Sequence, residues 1–572
     1  MNSWLIIGVL ALYIALLFIC AFFGEKHASR LSTRGRMLLF SLTLGVYCSS
    51  WTFYGATGAA VREGIIFLPI YLGPLLFVAV GYDIWRRLGR VRQHHAISSI
   101  ADFVAARYGK SGPLASLVTI LAVIAIIPYL ALQLRAIALS AAVILEPTAG
   151  GIASTTNGVL FLTGILAILA MIFGTRQIAN TEQHGGLMLA VAFESFVKLF
   201  ALLAVAAFFM FEAPENLHQI SQDISITFKE VQMFGVPESF WVQTLLAALA
   251  IICLPRQFHV AVVELRDEKH IRGARRWFAV YLILTTIAII PIASWALHAA
   301  PAYLAIPDVA VLSLPLSYSQ DWLTLLAFLG GFSASTGMLL VSSVALSIML
   351  SNDLIMPALW RTNILARHDK RLPLVLKFTR RVCILAVMLL GFLFFHFFND
   401  IDQLSVFGLL AFSAVAQFAP ALIGGLYWRG GSKQGVYAGL LTGFAMWAYT
   451  LLFPTVLRSL PAPFEALSQQ IIQDGPFGIN WLRPEALLGF ESFDPLTHGV
   501  VWALGLNILL YIWVSRIFRP SIAEQIQAES FFKHDLYEED PSSSASTNTS
   551  TNRNSTAGAL EQLEQQTRLN ID

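Results

Sequence analysis

An all-α membrane protein of about 13 transmembrane helices is the fold class this sequence predicts, and three observations predict it. Of 572 residues, 56% are hydrophobic and only 13% are charged, with mean hydropathy +0.68. Soluble globular chains do not combine those figures. Apolar runs long enough to span a bilayer lie at about 3–23, 37–60, 64–85, 113–144, 156–174, 185–211, 238–262, 276–298, 320–352, 380–399, 403–428, 433–453 and 498–517. Two of these runs are interrupted at corresponding places, by Cys48-Ser49-Ser50-Trp51-Thr52-Phe53-Tyr54-Gly55 and by Leu254-Pro255-Arg256-Gln257. Unpaired backbone at membrane depth must face protein or a water-filled cavity. A pair of broken helices, one in each half of a bundle, points to the solute and ion site of a transporter.

Charge distribution orients the runs. Basic residues gather in alternate loops, at 24–36, 86–110, 264–276 and 361–381 and at Arg429 and Lys433, while 212–237, 299–319 and 399–402 are acidic or neutral. The positive-inside rule then puts the N-terminus outside and the C-terminus in the cytoplasm. Residues 3–23 read as a first transmembrane helix rather than a signal peptide, because the basic residues follow the apolar run instead of preceding it. Net charge is +2 and identifies no partner; nothing suggests nucleic acid. The four cysteines all fall inside apolar runs with no metal or pairing spacing. No nucleotide loop, catalytic triad, CxxC pair or metal box is present, so the chain is not expected to be an enzyme or to carry a cofactor.

Four runs carry polar chemistry, counting 37–60 as the first of the core. In that run Gly45, Gly55 and Gly58 permit unwinding, which would free carbonyls for a hard cation and leave Ser50, Trp51 and Tyr54 to line a solute pocket. The competing reading is close helix packing through small residues. The third run holds Pro128, Tyr129, Gln133 and Arg135, polar groups that must face the bundle interior; Gln133 is the preferred pocket residue. In the fifth, Glu194 and Lys198 stand four apart on one helix face, as an ion pair or as ligands of an ion. The eighth contains Gly330-Gly331-Phe332-Ser333-Ala334-Ser335-Thr336-Gly337, whose hydroxyls either serve a dehydrated Na⁺ or bond back to their own helix.

Taken in order, Ser49-Ser50-Trp51 with Gly55 and Gly58, Tyr129 with Gln133, Gly185-Gly186 with Glu194, Pro255, Ser333 to Ser343 and Pro420 to Trp428 resemble the sodium/solute symporter family over roughly residues 1–517. Leu254 to His259, Ser351-Asn352-Asp353-Leu354 and 522–531 resemble the transporter-like membrane half of hybrid sensor histidine kinases, although no kinase sequence follows. The resemblance implies a LeuT-like core of two inverted five-helix repeats, about 37–211 and 238–428. One helix would precede it within 1–36, two would follow within 429–517, and 518–572 would be a largely disordered cytoplasmic tail. It also implies a sodium site from the carbonyls of Gly45, Cys48 and Gly330 and the hydroxyl of Ser333, with Ser335 or Thr336 standing in where the family's second hydroxyl is replaced by Ala334. Lys198 departs from the family pattern on the face that should meet the cation, so its ammonium could occupy the sodium position.

The expected function is therefore Na⁺-coupled symport of a small organic solute, an amino acid such as histidine, by alternating access in a bacterial inner membrane. Ser50, Trp51, Tyr54, Tyr129, Gln133 and Pro255 would bind the solute, and Glu194 and Lys198 would serve ion coupling. Proline as solute fits poorly, because Ala247 and Ile251 stand where proline-handling members carry aromatic residues. Two alternatives stay open. One is proton-coupled or uncoupled transport with Lys198 in place of sodium; the other is a sensor subunit that reports solute to a separate cytoplasmic histidine kinase.

Overall fold

A computed structural model describes residues 3–27, 32–145, 156–175, 185–211, 215–265, 267–298, 306–361, 372–398, 404–460 and 462–532. Among them every regular element is a helix. Ten helices are long and apolar enough to cross a membrane. Two bent pairs add two more: Thr33–Tyr47 with Trp51–Phe67 at 74°, and Ser239–Cys253 with Pro255–Val263 at 52°. By length and composition that makes up to twelve spans among the described residues, where the sequence suggests about thirteen. The difference is the 64–85 run, whose apolar helix Pro69–Val80 has 12 residues. At ~1.5 Å per residue it reaches ~18 Å by itself, shorter than any of those spans. Gly64, at φ +57°, precedes it, and Gly81 separates it from the amphipathic helix Tyr82–His95.

Both bends have local causes. Pro255 excludes the α conformation from the residue before it, and Leu254 accordingly sits at φ −69°, ψ 124°. No proline marks the other bend. There Leu44–Tyr47 tightens into a 3-10 turn and Cys48 turns out to ψ 96°, its N–H donating back to the Gly45 carbonyl at 3.0 Å. Each second half then contains a widened π turn, Trp51–Gly55 and His259–Val263, a distortion that recurs at functional positions.

Close packing around the bends relies on small residues. A Cβ on Gly24 would stand 2.8 Å from the Gly185 carbonyl oxygen, which lets Ser3–His27 lie directly against Gly185–Phe211. The segments expected as loops contain helices that hydropathy alone does not reveal: Ile100–Arg107, Glu215–Phe234, Ala310–Ser317 and Glu465–Asp474. Local capping stabilises the first of these. Ser99 accepts from the Asp102 N–H at 3.0 Å, and the Asp102 carboxylate accepts from the Ser98 N–H at 2.9 Å. Glu215–Phe234 is fastened to the Glu268–His298 helix by Asp223, which accepts from the Ser294 hydroxyl and meets His298 at 3.3 Å.

Residues Met1–Ala528 form one compact unit and Glu529–Asp572 another. Of the second, only the end of helix Ile522–Phe532 is described. Residues 533–572 of the tail expected to be largely disordered, and the loop cations Arg367, Lys370 and Arg371, lie outside the described residues.

Candidate functional site

The two bends lie beside one another in the core. The Gln257 side-chain amide donates to the Leu44 carbonyl at 3.3 Å, tying the second bend to the half-helix that precedes the first. Around them stand residues of the Gly112–Leu145, Gly185–Phe211, Asp321–Met349 and Leu404–Val415 helices.

At the first bend the freed carbonyls have a protein donor. Lys198 Nζ donates to the Gly45 oxygen at 2.7 Å and to the Cys48 oxygen at 2.6 Å. Lys198 is 4% exposed. Gly45 suits this close approach, because a Cβ there would stand 2.8 Å from Ser195 Oγ on the same helix as the lysine. Glu194 does not pair with Lys198, although the spacing of four suggested that it could. Its Oε1 accepts from Thr336 Oγ1 at 2.8 Å, its backbone oxygen accepts from Ser333 Oγ at 2.9 Å, and Oε2 has no hydrogen-bond partner. The two side chains are thus directed to different helices.

The hydroxyl patch of the Asp321–Met349 helix divides the same way. Ser333 and Thr336 reach across to Glu194, whereas Ser335 bonds back to the Gly331 carbonyl at 3.1 Å, as does Ser343 to Leu339 at 2.7 Å. Gly330 accommodates Ala201 and the Phe53 ring rather than presenting an open face. Of the six residues expected around a sodium ion, Gly45 and Cys48 meet at the Lys198 ammonium. Ser333 and Thr336 meet at Glu194, and Ser335 and Gly330 join neither group.

The expected solute residues form a tighter cluster. Ser50 donates to Gln133 Oε1 from its N–H at 3.2 Å and from its hydroxyl at 2.8 Å, and Ser49 Oγ and Tyr129 OH are 2.9 Å apart. Trp51 stands edge-on to Tyr129, ring centroids 6.5 Å apart, and to Phe412 at 5.1 Å. Tyr54 turns elsewhere, packing against Gly331, where any Cβ would collide with its ring. Pro255 is buried at the start of the second half-helix.

Sequence reasoning gave no role to Arg256, Phe412 or Asp308. Arg256 is 1% exposed, and its guanidinium carbon lies 4.5 Å from the centroid of the Tyr129 ring. Its Nε, Nη1 and Nη2 have no hydrogen-bond partner among the described residues. A charge inside an apolar run is the signal that would have flagged it. Asp308, fully buried, holds Arg62 Nη2 at 2.7 Å, accepts from the Leu404 N–H at 3.0 Å and fills the space left by Gly58. This closes the cluster at the end of the Trp51–Phe67 half-helix. On the expected cytoplasmic side, Trp85 Nε1 donates to the Ala261 oxygen at 2.8 Å, and Arg90 and Arg86 pair with Glu268 at 3.1 and 3.7 Å.

The fold and its comparisons define an all-α membrane protein of LeuT-like architecture. The chain shares its fold with a Na⁺-coupled sialic acid symporter solved in a substrate-bound, outward-open state, with TM-score 0.61 and 12% identity over 90% of this chain and 98% of that one. In sequence it is similar to YhjB of Bacillus subtilis strain 168, described as an uncharacterized symporter. The two are 24% identical over 455 residues, 76% of this chain and 84% of that protein. No family model matches the chain.

Proposed function

We propose that this chain is a secondary transporter that moves a small organic solute across a bacterial inner membrane by alternating access, with Pro69–Val80 completing an odd number of crossings that leaves the N-terminus outside and the C-terminus cytoplasmic. The Lys198 ammonium takes the place of a coupling sodium ion. The observation that carries this reading is the pair of hydrogen bonds from Lys198 Nζ to the Gly45 and Cys48 oxygens, the carbonyls that the sodium/solute symporter resemblance assigns to the cation. A lysine ammonium is a compact cation with three donors, suited to such carbonyls. The name of the Bacillus relative and the shared fold support the transporter class.

Coupling then runs through the protonation of Lys198, or is absent, rather than through sodium at this position. The ammonium bridges the bend to the Gly185–Phe211 helix. Loss of its proton would weaken that bridge and let the Thr33–Tyr47 half-helix move. Opening toward either side would also require release of Arg62–Asp308 at one end and of the Glu268 pairs at the other.

Uptake of a labelled panel of amino acids and short carboxylates into proteoliposomes tests this. Accumulation driven by an inward proton gradient, or equilibration without any gradient, is expected, with sodium indifferent. Accumulation that requires a sodium gradient and persists unchanged in Lys198→Ala would overturn it.

A second reading, a transporter-shaped sensor serving a separate histidine kinase, is favoured by one observation. Glu524, 3% exposed, accepts from the Ser521 N–H at 2.7 Å and the Lys433 N–H at 3.3 Å. The segment leaving the last span is thereby tied to the bundle, where movement of the Lys433–Trp447 helix would reach it.

A further inference from the structure

The proposed transporter reading leaves the solute's chemistry open, and Arg256 bears on it directly. A guanidinium carries five N–H donors in a planar fork. Here, among the described residues, all three nitrogens lack a hydrogen-bond partner and no carboxylate lies within ion-pair distance, and the residue is buried. Stacking on Tyr129 at 4.5 Å satisfies the face of the group but leaves its donor edge unserved. Buried charges in a membrane protein are paired, or they mark the path of a substrate or ion.

Near the bends stand the basic side chains of Lys198 and Arg256 and the carboxyl group of Glu194. That carboxylate is directed to Thr336. The Tyr129 ring beneath the guanidinium belongs to an aromatic cluster, with Phe412 5.6 Å from Tyr129 and 5.1 Å from Trp51 between ring centroids.

We infer that the solute is a small organic anion whose carboxylate is held by the fork of Arg256 above Tyr129, with its apolar body against Trp51 and Phe412. This rests on the transporter reading for its context, and it narrows the expected amino acid to a carboxylate without a compensating ammonium. Two parallel N–H···O bonds are the geometry a guanidinium offers a carboxylate. Among the described residues no carboxylate lies within ion-pair distance of Arg256, so the ammonium of a zwitterion, held two bonds from its carboxylate, would find no acidic partner there. Arg256 is thereby a binding residue of the solute site.

Binding to the purified full-length protein in nanodiscs tests this without requiring transport. The probes are propionate and phenylpropionate, their amides, and the amino acids alanine and phenylalanine, read by ligand-induced shift of the melting temperature and by Trp fluorescence. Either carboxylate is expected to bind while its amide and its amino acid do not. Arg256→Gln is expected to weaken carboxylate binding by about tenfold to a hundredfold, the loss of charge-assisted bonds. Arg256→Lys, which keeps the charge but not the fork, should fall between. Equal binding of acid and amide, binding of the amino acids alone, or no response to either carboxylate would overturn the inference. The acid–amide comparison in the unmodified protein holds even where Arg256→Gln does not fold. Carboxylate binding without uptake would break the transporter reading and keep this one. Uptake of a neutral or zwitterionic solute with unchanged KM in Arg256→Gln would do the reverse.

Discussion

The two helix bends differ in how their polar groups are served. At the first, the backbone is unwound and a side chain from another helix closes it: Lys198 donates to both Gly45 and Cys48. At the second, the proline removes a backbone donor, and the adjacent Arg256 adds donors that no atom of the described residues accepts. At the first bend the Gly45 and Cys48 carbonyls are served from within the protein, whereas at the second the Arg256 donors and the Gln257 Oε1 acceptor have no partner among the described residues. The difference teaches that a broken helix does not by itself identify a cation site. What identifies it is whether the freed groups are acceptors or donors after the rest of the protein has packed around them.

The largest effect that would break this contrast is at Lys198. Lys198→Met leaves the buried Cys48 carbonyl without its donor and the Gly45 carbonyl with only the Cys48 N–H, and should lower stability by about 1–3 kcal/mol, read as a fall in melting temperature in detergent. Sodium should partly restore it by binding the vacated carbonyls, since a ligand specific to the folded state stabilises it. Unchanged stability would mean that the carbonyls are served in some other way.

Arg256→Met should act in the opposite direction. Replacing an unpaired buried charge by an apolar side chain of similar length is expected to be neutral or to stabilise the ligand-free protein by about 1–3 kcal/mol. A large loss instead would show that Arg256 has a structural partner and would erase the contrast between the bends.

A smaller change sharpens it. Tyr129→Phe keeps the ring beneath Arg256 but removes the hydroxyl that meets Ser49, and about 1 kcal/mol should be lost on thermal denaturation.

The smallest effect is a control remote from both bends. Burial alone pushes the Asp83 carboxyl up, but the Tyr427 hydroxyl and the Arg87 and Arg86 guanidiniums bring it below its ordinary value. Its folded value is thus lower than its unfolded one. The stability it contributes is present above about pH 4 and is lost as pH falls through the folded value. With the side chain 45% exposed, less than about 1 kcal/mol is expected. The melting temperatures of Asp83→Asn and the unmodified protein should differ slightly near neutrality and converge below about pH 4. A difference that grows with acidity would contradict this sign.

Particular elements show how much could be read in advance. The bends at Cys48 and Leu254 were legible because glycine spacing and X-Pro geometry are properties of adjacent residues. The contacts of Ser50 with Gln133 were half legible: both residues stood out as polar groups in apolar runs, but their partnership joins positions 83 apart. The pairing of Glu194 with Lys198 was suggested by spacing and does not form, because each finds a better-placed partner on another helix. The short helix carrying Asp308 was hidden, since a loop of mixed polarity has no periodicity long enough to detect.

The sequence by itself determined that this chain is helical, membrane-spanning and broken at two positions, because hydropathy, charge asymmetry and backbone restriction act over a few residues at a time. Only the tertiary structure decided that the first break is filled by a lysine 153 residues from Gly45 and that the arginine beside the second is left with bare donors. Those outcomes depend on which side chains the packing brings within hydrogen-bond reach, and that reach is a few ångströms in space with no fixed distance along the chain.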